Sequence, residues 1–283
     1  MPKYALVCDV KKCEGCYACF MACKDEYVGN EYPPLSAAQP FPKGQQWMKL
    51  REVEYGSGNK VNVDYIPLMC QHCETMPCAR MAPEGAIYRR GDGIVIIDPV
   101  AALGCKEIVD DCPYRAVTWN PELQLAQKCT LCAHLLERGE TPRCVECCPT
   151  GALIFGDADD PGSEVSKLIA EKGGELESYK GELGTRPSVK YLNLPKPFLT
   201  GEIVYKEDGN CAEGIPVKLT AQSTGAVAAA CSDFFGNFKF RALAYNEFYS
   251  LKIDLPEYKP VEMELRVNAA KDLGVIYLEN RHS

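Results

Sequence analysis

Alternating apolar and polar positions dominate the last third of the chain. The alternation is plain in "IPVKLTA", "NFKFRAL", "FYSLKID" and "VEMELRV", and turn residues separate these pieces. The turns recur at close to the roughly 8 to 12 residues that are typical of β-sandwiches. The pattern predicts about seven short strands and a small all-β sandwich over residues 197–283.

The first half of the chain has short apolar pieces separated by runs of cysteine. The stretch "GAIYRRGDGIVIID" predicts a β-hairpin with its turn at Gly91, Asp92 and Gly93. The stretch "AVTWNPELQLAQKC" predicts a second hairpin that turns at Asn120 and Pro121. At the N-terminus, the apolar part of "MPKYALVCDVKK" is too short for a signal peptide and predicts a first strand.

Between these two regions the sequence predicts one helix and one strand. In "DPGSEVSKLIAEKGG" the helix has Asp160 as its possible cap, Pro161 in the first turn and Gly173 at its end. A short strand follows, between the prolines of "RPSVKYLNLPKP". We therefore predict a cysteine-rich domain over 1–150, a linking or wrapping segment over 151–196 and the sandwich over 197–283.

Composition excludes several classes of partner. The 283 residues include 31 basic and 39 acidic side chains, for a net charge of -8 and a pI near 5.1. This is the wrong sign for a protein that neutralises phosphates, so we expect no nucleic-acid partner. No apolar run approaches the roughly 20 residues of a membrane helix, so we expect no direct membrane insertion. The expected location is the cytoplasm, unless a partner chain carries an export signal.

Fifteen of the 17 cysteines lie between residues 8 and 148, which places the chemistry in the first half. The run "CEGCYACFMAC" has the spacing C-x2-C-x2-C-x3-C. Three thiolates at this spacing reach three irons of one cluster, and the fourth binds a different cluster. Zinc ribbons use pairs of cysteines, and disulfide scaffolds follow no such rule. The run therefore indicates 4Fe-4S ligands at Cys13, Cys16, Cys19 and Cys23.

The last run, "CTLCAHLLERGETPRCVECCP", supplies the partners of the first. It has a triplet stretched by an insertion and then Cys148 before Pro149. Cys147 is an alternative to Cys148, but the Cys-Pro dipeptide and the spacing from the triplet favour Cys148. In two-cluster ferredoxins the fourth cysteine of each run binds the cluster of the other run. The same arrangement here predicts site 1, formed by Cys13, Cys16, Cys19 and Cys148, and site 2, formed by Cys129, Cys132, Cys144 and Cys23.

The two middle runs, "CQHCETMPCARMA" and "AALGCKEIVDDCPYR", complete one further set of ligands. Site 3 is formed by Cys70, Cys73, Cys78 and Cys112. The same counting rule defines a fourth position, formed by Ala82, Ala102, Cys105 and Ile108. Because all the missing ligands fall in this one place, we predict three 4Fe-4S clusters and a fourth position filled by side-chain packing.

Five further residues have two interpretations each. His72 and His134 are either ligands or proton-coupled groups, or simply neighbours of a cluster, and the complete cysteine sets favour the second interpretation. Cys8 is most simply a small buried apolar residue. Cys211 and Cys231 either form a disulfide or are free and buried, and cluster assembly with reduced thiols favours the second interpretation.

The four cysteine runs and the tail "CCPTGALIFGDADDPGSEVSKLI" resemble the iron-sulfur subunits of dimethyl sulfoxide reductase family molybdopterin enzymes. The lost site, the phrase "QKCTLCAHLLERGETPRC" and the added sandwich with "FFGNFKF" are similar to the small subunits of pyrogallol-phloroglucinol transhydroxylases. The segment 233–251 resembles transthyretin-like domains. The implied fold class is α+β, a duplicated ferredoxin-type iron-sulfur domain followed by a C-terminal all-β immunoglobulin/transthyretin-like sandwich.

The resemblance also implies a partner and a reaction. We expect a heterodimer with a large catalytic subunit that binds molybdenum bis(molybdopterin guanine dinucleotide) and moves a hydroxyl group between polyphenols, which converts pyrogallol to phloroglucinol. This chain would be the electron-transfer subunit and would hold no catalytic residues. The alternative is an electron-transfer subunit of a respiratory reductase, or of a net phenol hydroxylase or catechol dehydroxylase. A standalone ferredoxin is a third possibility, and it fits the added sandwich poorly.

Overall fold

The computed structural model describes residues 1–36, 45–57, 60–268 and 270–281. The chain divides into two units, Met1–Val53 with Asp64–Leu194 and Glu54–Val63 with Pro195–Ser283. The first unit holds the fifteen cysteines that precede residue 150. The domain boundaries at 150 and 196 stay a prediction. Within the described ranges, no helix has both the length and the apolar character needed to cross a membrane.

Strands and short helices alternate along residues 1–194, which belong to the first unit except for Glu54–Val63, where the second strand ends and the third begins. The strands are β1 (Tyr4–Asp9), β2 (Lys49–Ser57), β3 (Lys60–Leu68), β4 (Ile87–Arg89), β5 (Val95–Ile97), β6 (Thr118–Asn120), β7 (Leu125–Gln127), β8 (Leu153–Asp157) and β9 (Val189–Leu192). The helices are α1 (Ala18–Asp25), α2 (Ala133–Leu136), α3 (Arg143–Glu146) and α4 (Glu164–Lys172). Single 3₁₀ turns lie at Val10–Lys12, Pro77–Ala79, Lys106–Val109, Gly173–Glu175 and Gly181–Leu183.

The predicted first strand is the centre of a three-stranded sheet in the order β8-β1-β9. β1 pairs antiparallel with β8 and parallel with β9. Leu6, Val7 and Cys8 are buried in succession, because residues on both faces of this strand are covered. Val165 of α4 packs with Val7 in one core cluster. The sheet therefore joins the N-terminus to the segment that follows the last cysteine run.

Both hairpins predicted from the sequence are present. β4 pairs antiparallel with β5, and β6 pairs antiparallel with β7. In the second hairpin the Asn120 side-chain oxygen accepts the N–H groups of Glu122 and Leu123, each at 3.1 Å. This side-chain turn is the physical reason that asparagine marks the bend. Each hairpin leads from one cysteine run towards the next.

The predicted helix of the linking segment is present as α4, but its cap is not Asp160. The Ser163 hydroxyl accepts the N–H of Ser166 at 3.1 Å and caps the helix. Asp160 instead accepts the N–H of Gly162 at 2.8 Å, in a turn that precedes the helix. Gly173 ends α4, as the sequence predicted.

The second unit is built from strands of the predicted alternating type. They are β10 (Leu199–Tyr205), β11 (Pro216–Ala221), β12 (Val227–Cys231), β13 (Asn237–Phe240), β14 (Glu247–Ile253), β15 (Val261–Val267) and β16 (Lys271–Leu278). Two sheets result, in the orders β13-β10-β16 and β12-β11-β14-β15. Val217, Leu219 and Leu251 point inwards and are almost fully buried. The strand count in the described residues agrees with the prediction.

The cysteines outside the predicted sites divide into two kinds. Cys8 is fully buried in β1, as expected for a small apolar residue. Cys211 and Cys231 are free, as expected, but both are exposed. The expectation that they are buried was wrong, because they lie at strand ends and edges outside the core.

Gly236, in the turn that precedes β13, has a backbone that other residues tolerate badly. Its φ is +77°, and an added Cβ would collide with the backbone carbonyl oxygen of Ile203. A left-handed backbone costs a non-glycine residue about 1 to 3 kcal/mol, and this clash adds to that cost. We expect Gly236→Ala to destabilise the second unit by about 3 kcal/mol, measured by thermal unfolding of the purified protein.

The matched control is Gly214→Ala. Gly214 has a similar φ of +74°, but an added Cβ would meet no atom within 4 Å. This variant should lose only about 1 kcal/mol. Equal losses for the two variants would show that the contact with Ile203 contributes nothing.

Candidate metal centres

The thiols predicted to form site 1 lie close together in the structure. Burial raises the pKa of Cys13, and the neighbouring thiols of Cys148 and Cys16 raise it further. Burial also raises the pKa of Cys19 to about 12, with contributions from Cys147, Cys13 and Cys148. The N-terminal triplet and the end of the last run therefore meet, although more than a hundred residues separate them.

Thiols of the first and last runs also lie near one another around the predicted site 2. Burial raises the pKa of Cys144, and the neighbouring thiols of Cys129, Cys132 and Cys23 raise it further. Burial raises the pKa of Cys23 in the same way, and Cys129 and Cys132 are the nearest thiol contributors. The structure therefore places Cys23 with the triplet of the last run.

Site 3 is assembled from the two middle runs. Its four cysteines line one cavity. Burial raises the pKa of Cys78 to about 12, and Cys70, Cys112 and Cys73 contribute. Burial raises the pKa of Cys73 to about 11. The thiol of Cys112 therefore lies beside the thiols of the Cys70 triplet, and their assignment as ligands of one cluster stays a prediction.

The three sites form a connected series. The thiol of Cys19 in site 1 raises the pKa of Cys144 in site 2, with a smaller effect than burial or the other thiols of site 2. Burial raises the pKa of Cys129 in site 2 to about 12, and Cys70 in site 3 is the next contributor. Thiols of site 2 therefore lie near a thiol of site 1 and near a thiol of site 3.

One backbone feature recurs two residues after the first cysteine of each triplet. The residues there have a left-handed backbone, with φ of 67° at Gly15, 46° at His72 and 51° at Leu131. The N–H groups of His72 and Leu131 donate to the sulfurs of Cys70 and Cys129, at 3.5 and 3.3 Å. The backbone of Gly15 makes the same bond to the Cys13 thiol. Such N–H groups stabilise a thiolate, as cluster ligation requires.

The fourth position keeps this left-handed backbone but has only one of the four ligand cysteines. Gly104 lies two residues after Ala102 and has a φ of 78°. Ala102 and Ile108 are fully buried in the core cluster that contains the site 3 thiols, and Ala82 and Cys105 pack against it. The loop thus has the conformation of a cluster loop, while alanine or isoleucine occupies three of the four ligand positions.

The environments of Cys147 and Cys148 differ. Burial raises the pKa of Cys148, but the N–H of Leu153, the Thr150 side chain and neighbouring amides bring it below its usual value. Cys147 instead directs its sulfur towards the carbonyl oxygen of Cys144, at 3.6 Å. Donors directed at Cys148 favour a thiolate there, whereas a carbonyl acceptor favours a protonated thiol at Cys147.

Both histidines beside the cysteine runs are engaged with protein groups. His72 is fully buried, and its Nδ1 accepts the N–H of Val95 at 3.1 Å. Burial lowers the pKa of His72 well below its usual value, so the ring is neutral. The Nε2 of His134 lies 2.9 Å from the Glu26 carboxylate, and its ring stacks on Tyr32 at 3.7 Å.

Sequence reasoning overlooked Lys128. This residue directly precedes Cys129, and its side chain is only 2% exposed. Its ammonium group donates to the carbonyl oxygens of Val95 and Cys129. Its place next to a ligand of site 2 was a signal in the sequence, but a weak one, because lysine is usually exposed.

The residues of the three sites fit 4Fe-4S clusters in donor chemistry. Each predicted set consists of four free thiols, and free thiolates are the ligands that such clusters use. Among the described residues, no group of three or more Cys, His, Asp or Glu is placed to hold a single metal ion. In a 4Fe-4S cluster each thiolate binds its own iron, so the sulfurs need not converge on one point.

Comparison with known proteins agrees with this donor chemistry. Residues 61–158 match the family model of the 4Fe-4S dicluster domain. The pyrogallol hydroxytransferase small subunit of Pelobacter acidigallici is 40% identical over 98% of this chain and 100% of its own length. A tetrathionate reductase subunit of Salmonella typhimurium is 38% identical, over 70% of this chain and 75% of its own. A provisionally named dimethyl sulfoxide reductase iron-sulfur subunit of Halobacterium salinarum is 36% identical, over 68% of this chain and 80% of its own length.

The chain belongs to the iron-sulfur subunits of the dimethyl sulfoxide reductase family. Members of this group are electron-transfer subunits of oxidoreductases, and this chain is one of them. The extent of similarity differs within the family. The Pelobacter subunit matches almost the whole chain, whereas the two reductase subunits match 70% and 68% of it. A cohesin–X-dockerin complex of Acetivibrio cellulolyticus and the shaft pilin SpaA of Lactobacillus rhamnosus match with TM-scores of 0.25 and 0.27, which are too low to support a conclusion.

Proposed function

We propose that this chain is the electron-transfer subunit of a heterodimeric molybdopterin enzyme that transfers hydroxyl groups between polyhydroxylated aromatics and so converts pyrogallol to phloroglucinol. The observation that carries the proposal is the 40% identity to a pyrogallol hydroxytransferase small subunit over 98% of the chain. The similarity includes the second unit, since the two chains match over nearly their full lengths. The large partner would bind molybdenum bis(molybdopterin guanine dinucleotide) and contain the active site.

We further propose that the chain holds three 4Fe-4S clusters, at sites 1, 2 and 3. A cluster bound by four thiolates accepts and releases single electrons. The protein's part is to supply the thiolates and the N–H groups directed at them. The closeness of Cys19 to Cys144 and of Cys70 to Cys129 supports an electron path in the order site 1, site 2, site 3.

The proposed folds of the two units follow from the same observations. The repeated left-handed residues at Gly15, His72, Gly104 and Leu131 support a duplicated ferredoxin-type domain. The sheets of three and four strands support an immunoglobulin/transthyretin-like sandwich for the second unit. The cytoplasmic location stays a prediction.

A second function has its own support. Transhydroxylation moves a hydroxyl group with no net oxidation or reduction, so the clusters would serve only to set or restore the oxidation state of the partner's metal. A respiratory reductase, net hydroxylase or catechol dehydroxylase would use them in every turnover. The 38% identity to a tetrathionate reductase subunit is consistent with this alternative.

Turnover by the intact complex distinguishes the two functions. The purified complex is offered pyrogallol and a tetrahydroxybenzene co-substrate, without an external electron donor or acceptor. We expect sustained formation of phloroglucinol. Product formation that requires an added dye donor or acceptor would contradict hydroxyl transfer and would support the reductase or hydroxylase function. The matched control is the same assay with the dye present, which detects both activities.

A further inference from the structure

Lys128 places a positive charge in the interior of the first unit. Its side chain is almost fully buried, and its ammonium group donates to the carbonyl oxygens of Val95 and of Cys129, the second at 3.2 Å. Burying a charge is costly unless something nearby compensates it. Two neutral carbonyl groups compensate an ammonium only in part. A nearby concentration of negative charge would complete the compensation.

Two predicted cluster sites lie around this ammonium group. Lys128 lines the cavity formed by Cys70, Cys73, Cys78 and Cys112 of site 3. It is also joined by one peptide bond to Cys129 of site 2. Burial raises the pKa values of Cys78 and Cys129, and the Lys128 charge acts in the opposite direction on both. The Lys128 charge therefore acts on thiols of both site 2 and site 3.

The position of the ammonium group is fixed by the backbone of Val95. The carbonyl oxygen of Val95 accepts from Lys128, and its N–H donates to Nδ1 of His72 at 3.1 Å. His72 lies between two ligands of site 3, Cys70 and Cys73. One residue of strand β5 thus connects the lysine to the cluster loop. This geometry keeps the charge at one place while the sites change their oxidation state.

We propose that Lys128 raises the reduction potentials of the clusters at sites 2 and 3 relative to site 1. The proposal rests on the proposed function, since it requires clusters at these sites. Reduction adds one electron, and so one negative charge, to a group already bound by four thiolates. A fixed positive charge in a medium of low dielectric constant stabilises that added charge.

The test compares charge-removing and charge-keeping variants in the intact complex. Lys128→Gln removes the charge and keeps an N–H donor, and Lys128→Arg keeps the charge. Cluster midpoints are followed by electron paramagnetic resonance during titration with dithionite. In the Gln variant we expect two of the three midpoints to fall, each by about tenfold in the reduction equilibrium, or about 59 mV for one electron. The third midpoint stays unchanged, and the Arg variant retains all three.

Lys49→Met is the matched control for loss of one positive charge. Its ammonium group donates to the carbonyl oxygen of Arg115 at 3.3 Å, in an exposed position. We expect this variant to leave all three midpoints in place. If Lys128→Gln loses iron, the same titration is made on Lys128→Met, whose unbranched side chain fills the same space.

The outcomes separate this inference from the proposed function. Wild-type iron content and the number of reducible clusters test the proposed function before any variant is measured. With three clusters present, unchanged midpoints in a neutral Lys128 variant would overturn the inference. A shift of only one midpoint, or an equal shift of all three, would also contradict a charge shared by sites 2 and 3.

Discussion

Replacing Cys148 by serine is expected to remove the cluster at site 1, which is about four iron atoms per complex. The thiol of Cys148 is placed for ligation by the N–H of Leu153 and the side chain of Thr150, which favour its charged form. A serine hydroxyl at this position is far harder to deprotonate, and metal ligands must be deprotonated to bind. Iron analysis and electron paramagnetic resonance of the reduced complex measure the loss.

Cys147→Ser is the neighbouring control. The Cys147 sulfur is directed at the carbonyl oxygen of Cys144, 3.6 Å away, and is not placed as a thiolate. We expect this variant to keep its full iron content and all its cluster signals. If Cys147→Ser lost the iron and Cys148→Ser kept it, the choice made from the Cys-Pro dipeptide would be wrong.

Features set by local sequence could be predicted. The two hairpins of the first unit depend on turn residues, and the Asn120 side chain makes the expected turn. The strands of the second unit follow from alternation, because one face of each strand must be apolar. The cysteine sets were also assigned from spacing, since ligand geometry constrains the positions of neighbouring thiolates, and they stay a prediction.

Features set by folding over long distances could not be predicted. The pairing of β1 with β8 and β9 joins the two ends of the first unit, and nothing local in either strand specifies the partner. The burial of Lys128 likewise depends on the surrounding loops. The misplaced cap of α4 has a smaller cause, since Asp160 and Ser163 are both good cap residues and the turn at Gly162 decides between them.

The fourth position combines the backbone of a cluster loop with an incomplete set of ligands. Sequence spacing showed which ligands are missing, and the structure adds that Gly104 keeps the left-handed backbone of the other cluster loops. Ile108 meanwhile is fully buried among apolar side chains. Loss of ligands with retention of the loop conformation is consistent with a duplicated fold in which one site has become a packed core.

Replacing Cys112 by serine is expected to remove about four iron atoms, whereas replacing Cys105 should remove none. The two cysteines lie in one run, seven residues apart, but they differ in their surroundings. The Cys112 sulfur accepts the N–H of Ala116 at 3.4 Å and faces the Cys70 thiol. The Cys105 sulfur is directed at the carbonyl oxygen of Leu103 at 3.8 Å, and the other ligand positions around it hold no sulfur.

The comparison of these two variants counts the clusters independently of any iron in the partner. Each variant is measured against the wild-type complex, so iron bound by the large subunit cancels in the difference. Loss of about four irons in Cys105→Ser would mean that the fourth position is occupied and that this chain binds about sixteen irons. Retention of all iron in Cys105→Ser, with loss in Cys112→Ser, supports about twelve irons in three clusters. A packed apolar core would then stand where a fourth cluster would otherwise bind.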